Sequence, residues 1–277
     1  MERIGISIST NIFLNEPKVE AEERIIKEYG SPGNLFTSLR NAGVTSIEIL
    51  NARDSLQNCD SDTLAAVRMI HNAGFEVTIH IEFDGTTGKE YAARMRKILL
   101  EAVNGQGKTA FTVHPVESFE RTAELYADWS KVFTELDERC MLTLENMRYK
   151  KVPGTEYVRL NSVYDAVLPV KGQLTWDMGH YTYNVLTSDL PIETLPEAEY
   201  LALMKHTHIH GIIYPKLTTH FPLTTENKHI ELYVKALKNS GYQGVYNLEL
   251  EPERWLDRYS PRESFENSIA YLREMLK

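Results

Sequence analysis

Side chains that bind metal ions recur at the end of successive apolar segments in the second half of the sequence. Five of these segments read FTVHP, LTLEN, LTWDMGH, HTHIHG and YNLELE. A carboxylate or imidazole is costly at the end of an apolar run unless something compensates it. Because the pattern repeats, one shared site is the simplest explanation, and a His/Asp/Glu set without cysteine suits a divalent cation. The side chains are His114, Glu145, Asp177, His208 and Glu249, and an earlier segment, VTIHI, ends on His80.

The elements that must position these side chains alternate between strand and helix patterns. Strict alternation with nearly continuous apolar strands indicates a parallel sheet. Eight repeats within 277 residues suit a closed (β/α)8 TIM barrel of the α/β class, formed by a single domain spanning residues 1–277. The eight predicted strands lie at roughly 3–9, 45–50, 76–82, 109–114, 140–146, 173–177, 204–210 and 245–250.

A unit of amphipathic helix, glycine and short strand recurs along the chain, as in NLFTSLRNAGVTSIEIL and ELYVKALKNSGYQGVYNLEL. In the second copy we predict that Gly241 ends the helix in the left-handed conformation. A doubly wound open sheet is the alternative fold. The first strand, RIGISISTN, is not followed by the G-x-G-x-x-G pattern of that fold. The segment from Tyr214 to Thr225 is predicted to be a long loop over the catalytic face of the barrel.

Residues at the carboxyl ends of barrel strands converge on one mouth, even when they are far apart in sequence. Three carboxylates and one imidazole would therefore ring the axis. Such a set suits Mn²⁺, Mg²⁺ or Co²⁺, and Zn²⁺ as well where histidines are numerous. A single glutamate of this kind is more simply explained by a salt bridge, but four in register argue against that explanation. The predicted metal ligands are Glu145, Asp177, His208 and Glu249.

Other histidines near these ends have two interpretations. His180 follows Asp177 by three residues and is either a second-metal or substrate contact or a surface loop residue. His80 and His114 are either additional ligands or hydrogen-bonded core histidines. In HTHIH, alternation places three histidines on one strand face at different depths. We select His208 as the ligand and expect His206 and His210 to be its neighbours.

Two further polar residues also have open roles. Glu48 ends the second predicted strand and is either a polar residue inside the barrel or a substrate contact. Arg148 follows Glu145 by three residues and is either a contact to an oxyanion or phosphate or a solvated loop arginine.

The composition indicates which kinds of partner and which cellular compartment to expect. The formal net charge of −9 argues against a nucleic-acid partner, since phosphate binding requires a basic face. Cys59 and Cys140 match no zinc or redox spacing, and Cys140 is expected to be a buried thiol. No apolar run is long enough to cross a membrane. The expected compartment is the cytoplasm.

The motifs LEN, DxGH, HIH and GYQGVYNLEL resemble those of the xylose-isomerase-like barrel superfamily. This superfamily holds sugar isomerases and epimerases together with apurinic-site nucleases of the endonuclease IV type. In the epimerase branch, the resemblance implies that the four predicted ligands bind one metal ion. In the nuclease branch, it implies additional ligands at His80, His114, His180 and His220. The sequence departs from the nuclease pattern at Thr218, where an aspartate would be expected, and at Phe83, where a tyrosine would be expected.

The resemblance implies a metal-dependent isomerase or epimerase acting on a small sugar-type substrate. In such an enzyme, the resemblance implies that Glu145 and Glu249 act as base and acid and that His180 holds a substrate oxygen. The alternatives are a multi-metal phosphodiesterase acting on abasic DNA and a metal-binding barrel without catalysis. About one metal per chain would favour the isomerase, and two or more would favour the hydrolase.

Overall fold

The computed structural model describes residues 2–50 and 60–277. Eight parallel strands close into a barrel, as predicted, and an antiparallel pair of short strands lies outside it. Around the barrel, the strand order is β1-β10-β7-β6-β5-β4-β3-β2. The strands are β1 (Arg3–Ser9), β2 (Ser46–Leu50), β3 (Glu76–His80), β4 (Thr109–Val113), β5 (Cys140–Glu145), β6 (Gln173–Asp177), β7 (Met204–Ile209), β8 (Gly211–Ile213), β9 (Thr218–Phe221) and β10 (Val245–Leu248).

Helices fill most of the connections between barrel strands and surround the barrel. They begin and end at local sequence signals, such as the capping box at the start of the fifth helix, where the side chains of Thr87 and Glu90 each accept the other's backbone N–H. The α-helices are α1 (Thr10–Leu14), α2 (Glu20–Tyr29), α3 (Pro32–Ala42), α4 (Asp60–Asn72), α5 (Gly88–Ala102), α6 (Phe119–Leu136), α7 (Leu160–Val167), α8 (Met178–Thr187), α9 (Ala198–Leu203), α10 (Lys228–Asn239) and α11 (Pro261–Met275).

The predicted glycine ends are present in the structure. Gly43 follows α3 with φ at 95°, and Gly241 follows α10 with φ at 82°. A side chain at these left-handed positions would be strained, which explains why glycine occupies the point where each helix turns back toward the next strand. Most barrel strands also end within one or two residues of their predicted positions, so the carboxyl ends carry the residues that the sequence pattern placed there.

The interior of the barrel is polar below its mouth. Thr112, Thr143 and Thr175 join three neighbouring strands through hydroxyl contacts of 2.7–3.2 Å. The residues adjacent to them in sequence, such as Phe111 and Leu144, belong to the apolar core packed beneath the helices. Strand alternation therefore separates an aliphatic and aromatic layer outside the barrel from a hydrogen-bonded layer inside it.

The predicted long loop from Tyr214 to Thr225 is partly wrong. Residues Thr218–Phe221 form β9, which pairs antiparallel with β8. Residues from a distant part of the chain hold this strand pair in place. The carbonyl of His220 accepts hydrogen bonds from the Trp255 indole, at 3.0 Å, and from the backbone N–H of Glu251, at 3.0 Å. The local turn residues predicted a loop because these partners lie more than thirty positions away.

Cys140 is buried, as expected, and burial raises the pKa of its thiol to about 12. Cys59 lies outside the described residues. Across residues 2–50 and 60–277, no helix combines the length and the apolar character needed to span a bilayer.

Candidate metal centre

The four predicted ligands lie together at the carboxyl-terminal mouth of the barrel. Glu145 is the last residue of β5 and Asp177 the last of β6, while His208 lies near the end of β7 and Glu249 directly after β10. All four are buried, with at most 4 % of their surface exposed. Each offers a ligand atom, and these atoms all lie within 4.8 Å of one another.

This spacing fits a divalent ion. Metal–ligand bonds of about 2.1 Å place neighbouring ligand atoms about 3 Å apart and opposite ones about 4.2 Å apart, so small side-chain adjustments would close the set around an ion. Three of the buried atoms have no well-formed hydrogen bond within the described residues and only ion-pair contacts of 3.0–3.5 Å to neighbouring groups: Glu145 Oε1, His208 Nδ1 and Glu249 Oε2. Unsatisfied buried polar atoms are costly, and a cation would satisfy all three.

The charges of the buried groups also favour a cation at the centre. Burial alone would raise the pKa of Glu145, but the charges of His208 and His114 hold it well below its usual value. Burial opposes charging of His208, yet Glu145 and Glu48 raise its pKa well above the usual value. Glu249 and Glu251 likewise raise the pKa of His220 to about 9, against its burial. Imidazolium groups thus balance the carboxylates, and a bound metal ion would replace their protons.

Asp177 is held by the local sequence at the junction of β6 and α8. It is the N-cap of α8, and its Oδ1 accepts the backbone N–H of His180 at 2.5 Å. Asn146, the last residue of the LEN motif, forms two 3.0 Å hydrogen bonds with the backbone of Asp177. Asn146 therefore ties the ends of β5 and β6 together, a role that the sequence analysis missed.

Glu48 lies in the polar interior of the barrel and is not exposed to a substrate. Its carboxylate is fully buried, with Oε1 lying 3.0 Å from His208 Nε2. Ser7 Oγ donates to the same oxygen at 2.7 Å, and Asn247 Nδ2 donates to it at 3.1 Å. Of its two predicted roles, the structure therefore supports the internal one. Ser7 and Asn247 were missed, although Asn247 shares a strand face with Glu249 at a spacing of two.

The three histidines of HTHIH lie at different depths, as the alternation predicted. His206 Nε2 contacts Glu48 Oε2 at 2.7 Å, below the ligand ring. His208 Nδ1 lies 3.0 Å from Glu145 Oε2. His210 lies beside Asp177, with its Nε2 at 3.1 Å from Oδ1. Only His208 joins the four-ligand set.

His210 is oriented by the hairpin. Its Nδ1 accepts the backbone N–H of His220 at 2.9 Å, which leaves Nε2 to donate to Asp177. The His210 ring lies against Gly179 of the DMGH motif. A Cβ at position 179 would come within 1.8 Å of the ring, so only glycine fits there.

Two further donor sets adjoin the four-ligand centre. On one side, Glu145 Oε2 lies 3.2 Å from His80 Nε2 and 3.4 Å from His114 Nε2. On the other side, His180 Nδ1 lies 3.2 Å from Asp177 Oδ2. The structure thus brings together every histidine that the nuclease pattern implied. These sets are His80–His114–Glu145 and Asp177–His180–His210–His220, and two more, Glu48–His206–His208 and His80–His208–Glu249, share His208 with the centre.

Comparison with known proteins supports the fold. No known family model matches the sequence. A segment of 51 residues is 45% identical to the uncharacterized protein MJ1188 of Methanocaldococcus jannaschii, and it spans 18% of each chain.

Solved structures resemble the chain over nearly its whole length. D-psicose 3-epimerase of Clostridium cellulolyticum H10 has a TM-score of 0.62 at 12% identity, covering 98% of this chain and 99% of that one. A xylose isomerase domain containing protein of Salmonella typhimurium LT2 has a TM-score of 0.58 at 13% identity, covering 98% of this chain and 97% of that one. An IolI protein with a bound zinc atom has a TM-score of 0.51 at 13% identity, covering 98% of this chain and 96% of that one. The resemblance to xylose-isomerase-like barrels is therefore confirmed for the fold.

Proposed function

We propose that this chain is a divalent-metal-dependent enzyme of the sugar isomerase or epimerase type, which acts on a small polyhydroxy carbonyl compound by proton transfer. The observation that carries the proposal is the position of Glu145 and Glu249. Both are buried carboxylates, they come from strands on either side of β7, and each has an oxygen within 3.5 Å of His208 Nδ1. Two carboxylates that flank one metal position can reach a chelated substrate from two sides.

The residues that would hold the ion are Glu145, Asp177, His208 and Glu249. When bound, the ion supplies Lewis-acid polarisation of a substrate carbonyl and its adjacent hydroxyl, which acidifies the C–H between them. Mn²⁺, Mg²⁺, Co²⁺ and Zn²⁺ all accept this mixture of carboxylate and imidazole ligands.

The side chains of the protein carry out the proton transfer. One glutamate takes the proton from the carbon beside the carbonyl, and the C–H electron pair passes into an enediolate. A proton then returns to carbon from the same glutamate. Alternatively, the opposite glutamate delivers a proton taken from water while the first glutamate releases its own to water, so the atoms balance in either case. The charges of neighbouring histidines hold the pKa of both carboxyls low, so both are ionised before substrate binds. His180, buried beside Asp177, would hold a substrate oxygen.

A second candidate function is a multi-metal phosphodiesterase. The observation that favours it is the pair of donor sets next to the four-ligand centre, one around His80 and His114 and one around His180 and His220. Two or three ions held this way could activate water and stabilise the leaving oxygen of a phosphodiester. The net charge of −9 argues against DNA as its substrate.

Elemental analysis of the purified protein, combined with a substrate screen, tests the proposal. The isomerase predicts about one essential ion per chain and turnover of at least one ketose, inosose or hydroxy-carbonyl compound. Two or more ions with cleavage of an abasic-site oligonucleotide would replace it with the phosphodiesterase. Tight metal binding without turnover of either substrate class would support a barrel that binds metal without catalysis.

A further inference from the structure

Arg148 lies at the mouth of the barrel in the connection that follows β5, three residues beyond Glu145. The sequence allowed a solvated loop arginine or an anion contact. In the structure the side chain is half-buried, and its guanidinium carbon lies 5.8 Å from the centre of the Tyr183 ring. Tyr183 belongs to α8, the helix that Asp177 caps. Arg148 is therefore held over the helix that leaves the metal centre.

Within the part of the chain that the structure describes, this guanidinium forms no close ion pair, and Asp177 and Glu251 act on it only through longer-range charge. Across residues 2–50 and 60–277, Arg148 forms no side-chain hydrogen bond, and no carboxylate oxygen lies within 4.0 Å of its nitrogens. Several other arginines near chain turns are paired, such as Arg139 with Asp137 at 2.8 Å. A half-buried cation without a close counter-ion is unfavourable, and an anionic ligand would reduce that cost.

A second guanidinium, that of Arg254, acts on Arg148 through its charge. Arg254 follows β10 and bonds to the carboxylate of Glu251. Glu251 in turn contacts His220 Nδ1 at 3.0 Å, and His220 Nε2 lies 3.2 Å from Glu249. Arg254 is thus linked to the metal centre through two side chains. Burial and the positive charge of Arg254 lower the pKa of Arg148, whereas Asp177 and Glu251 oppose that change.

We propose that Arg148 binds an anionic substituent of the substrate whose carbonyl and hydroxyl oxygens face the metal centre. This inference rests on the proposed function and narrows its substrate class to sugar phosphates or sugar acids. A guanidinium binds either group through two parallel N–H···O bonds, and a planar fork fixes the orientation of the substrate as well as its affinity. Tyr183, beneath the guanidinium, keeps that fork in place.

The test compares three substrates that differ in one group: a ketopentose, its 5-phosphate and the corresponding ketoaldonate. For the native enzyme we expect kcat/KM to be at least about 100-fold higher for one of the two anionic compounds than for the neutral sugar, as two charge-assisted hydrogen bonds from a half-buried guanidinium predict. Which of the two is preferred identifies the anion. Arg148→Met should remove most of that preference by raising KM, while Arg148→Lys should restore part of it.

Arg96→Met is the matched control, because Arg96 is exposed on α5 and its loss changes the net charge equally. Metal content and thermal unfolding of each variant show whether the centre is intact. If the native enzyme prefers the neutral sugar, or if Arg148→Met and Arg96→Met behave alike, the anion site is wrong while the isomerase stands.

A binding measurement separates this inference from the proposed function. The 5-phosphate and the ketoaldonate are each titrated into the metal-loaded native protein and into Arg148→Met by calorimetry. Binding that weakens at least about tenfold in Arg148→Met, with no turnover of any sugar, would keep the anion site and reject the isomerase. Equal binding of both anions by the two proteins would reject the anion site.

Discussion

Glu48 Oε1 lies 3.0 Å from Nε2 of His208, on the side of the imidazole opposite the carboxylates of the centre. The other ring nitrogen, Nδ1, lies 3.0 Å from Glu145 Oε2. In a neutral imidazole, a carboxylate that accepts from Nε2 leaves Nδ1 unprotonated and free to bind a metal ion. Glu48 therefore sets which nitrogen of His208 faces the centre.

The Glu48→Gln variant tests this relationship. A neutral amide holds the Nε2–H more weakly and removes the buried charge behind the ligand, so metal affinity should fall about 10- to 100-fold. Competition with a chromophoric chelator measures the change. Glu76→Gln is the control, since Glu76 pairs with Arg3 at the other end of the barrel. Equal affinities for the two variants would contradict the role of Glu48.

Glu249→Gln should abolish turnover and weaken metal binding. The substitution keeps the size of the side chain but removes both a ligand carboxylate and a proposed acid or base. Steady-state assays and metal analysis report the two losses separately. The exposed Glu226→Gln variant should retain native values of both. Activity like that of the native enzyme in Glu249→Gln would remove Glu249 from the mechanism.

His80→Ala and His114→Ala distinguish the two candidate functions. If one ion is essential, both variants should keep most of their metal and lose activity only through poorer placement of substrate. If the Glu145 side of the centre holds an ion of its own, each variant should lose one metal equivalent, because both rings face Glu145 Oε2. Plasma emission spectrometry after dialysis gives the count. An unchanged count in both variants would exclude an ion at this position.

Turnover in D₂O tests the proton-transfer mechanism. A carboxylate that removes a C–H proton can exchange it with solvent before returning it, so deuterium should appear at that carbon. Glu145→Gln and Glu249→Gln should each lose this incorporation. The product is analysed by NMR. A product free of solvent deuterium would indicate a hydride shift and leave the two glutamates as metal ligands alone.

Metal binding should release protons and strengthen as pH rises. In the metal-free protein the pKa of His208 is raised well above its usual value and that of His220 to about 9, so both are largely protonated at pH 7. His208 must lose a proton before its nitrogen can bind an ion, and His220 is disfavoured as a cation once an ion is present. The apparent affinity should therefore increase from pH 6 to pH 9. Calorimetry in buffers of different ionisation enthalpy counts the protons, and a pH-independent affinity would contradict the prediction.

The sequence by itself determined the barrel and the ends of its strands. Helix and strand periods, together with glycines such as Gly43 and Gly241, are local properties, and they fixed eight alternating units. Once the units close into a parallel barrel, every strand end faces one mouth. The convergence of Glu145, Asp177, His208 and Glu249 therefore followed from their positions at strand ends.

Only the tertiary structure decided which polar groups face one another. Glu48 and His206 are 158 positions apart, and the closure of the barrel sets their 2.7 Å contact. The hairpin that places His220 depends on hydrogen bonds to Trp255 and Glu251, which no local turn pattern contains. The half-burial of Arg148 likewise depends on where α8 lies. Local periodicity determines which face of a strand a residue occupies, whereas its partner across the barrel is set by register and packing between distant segments.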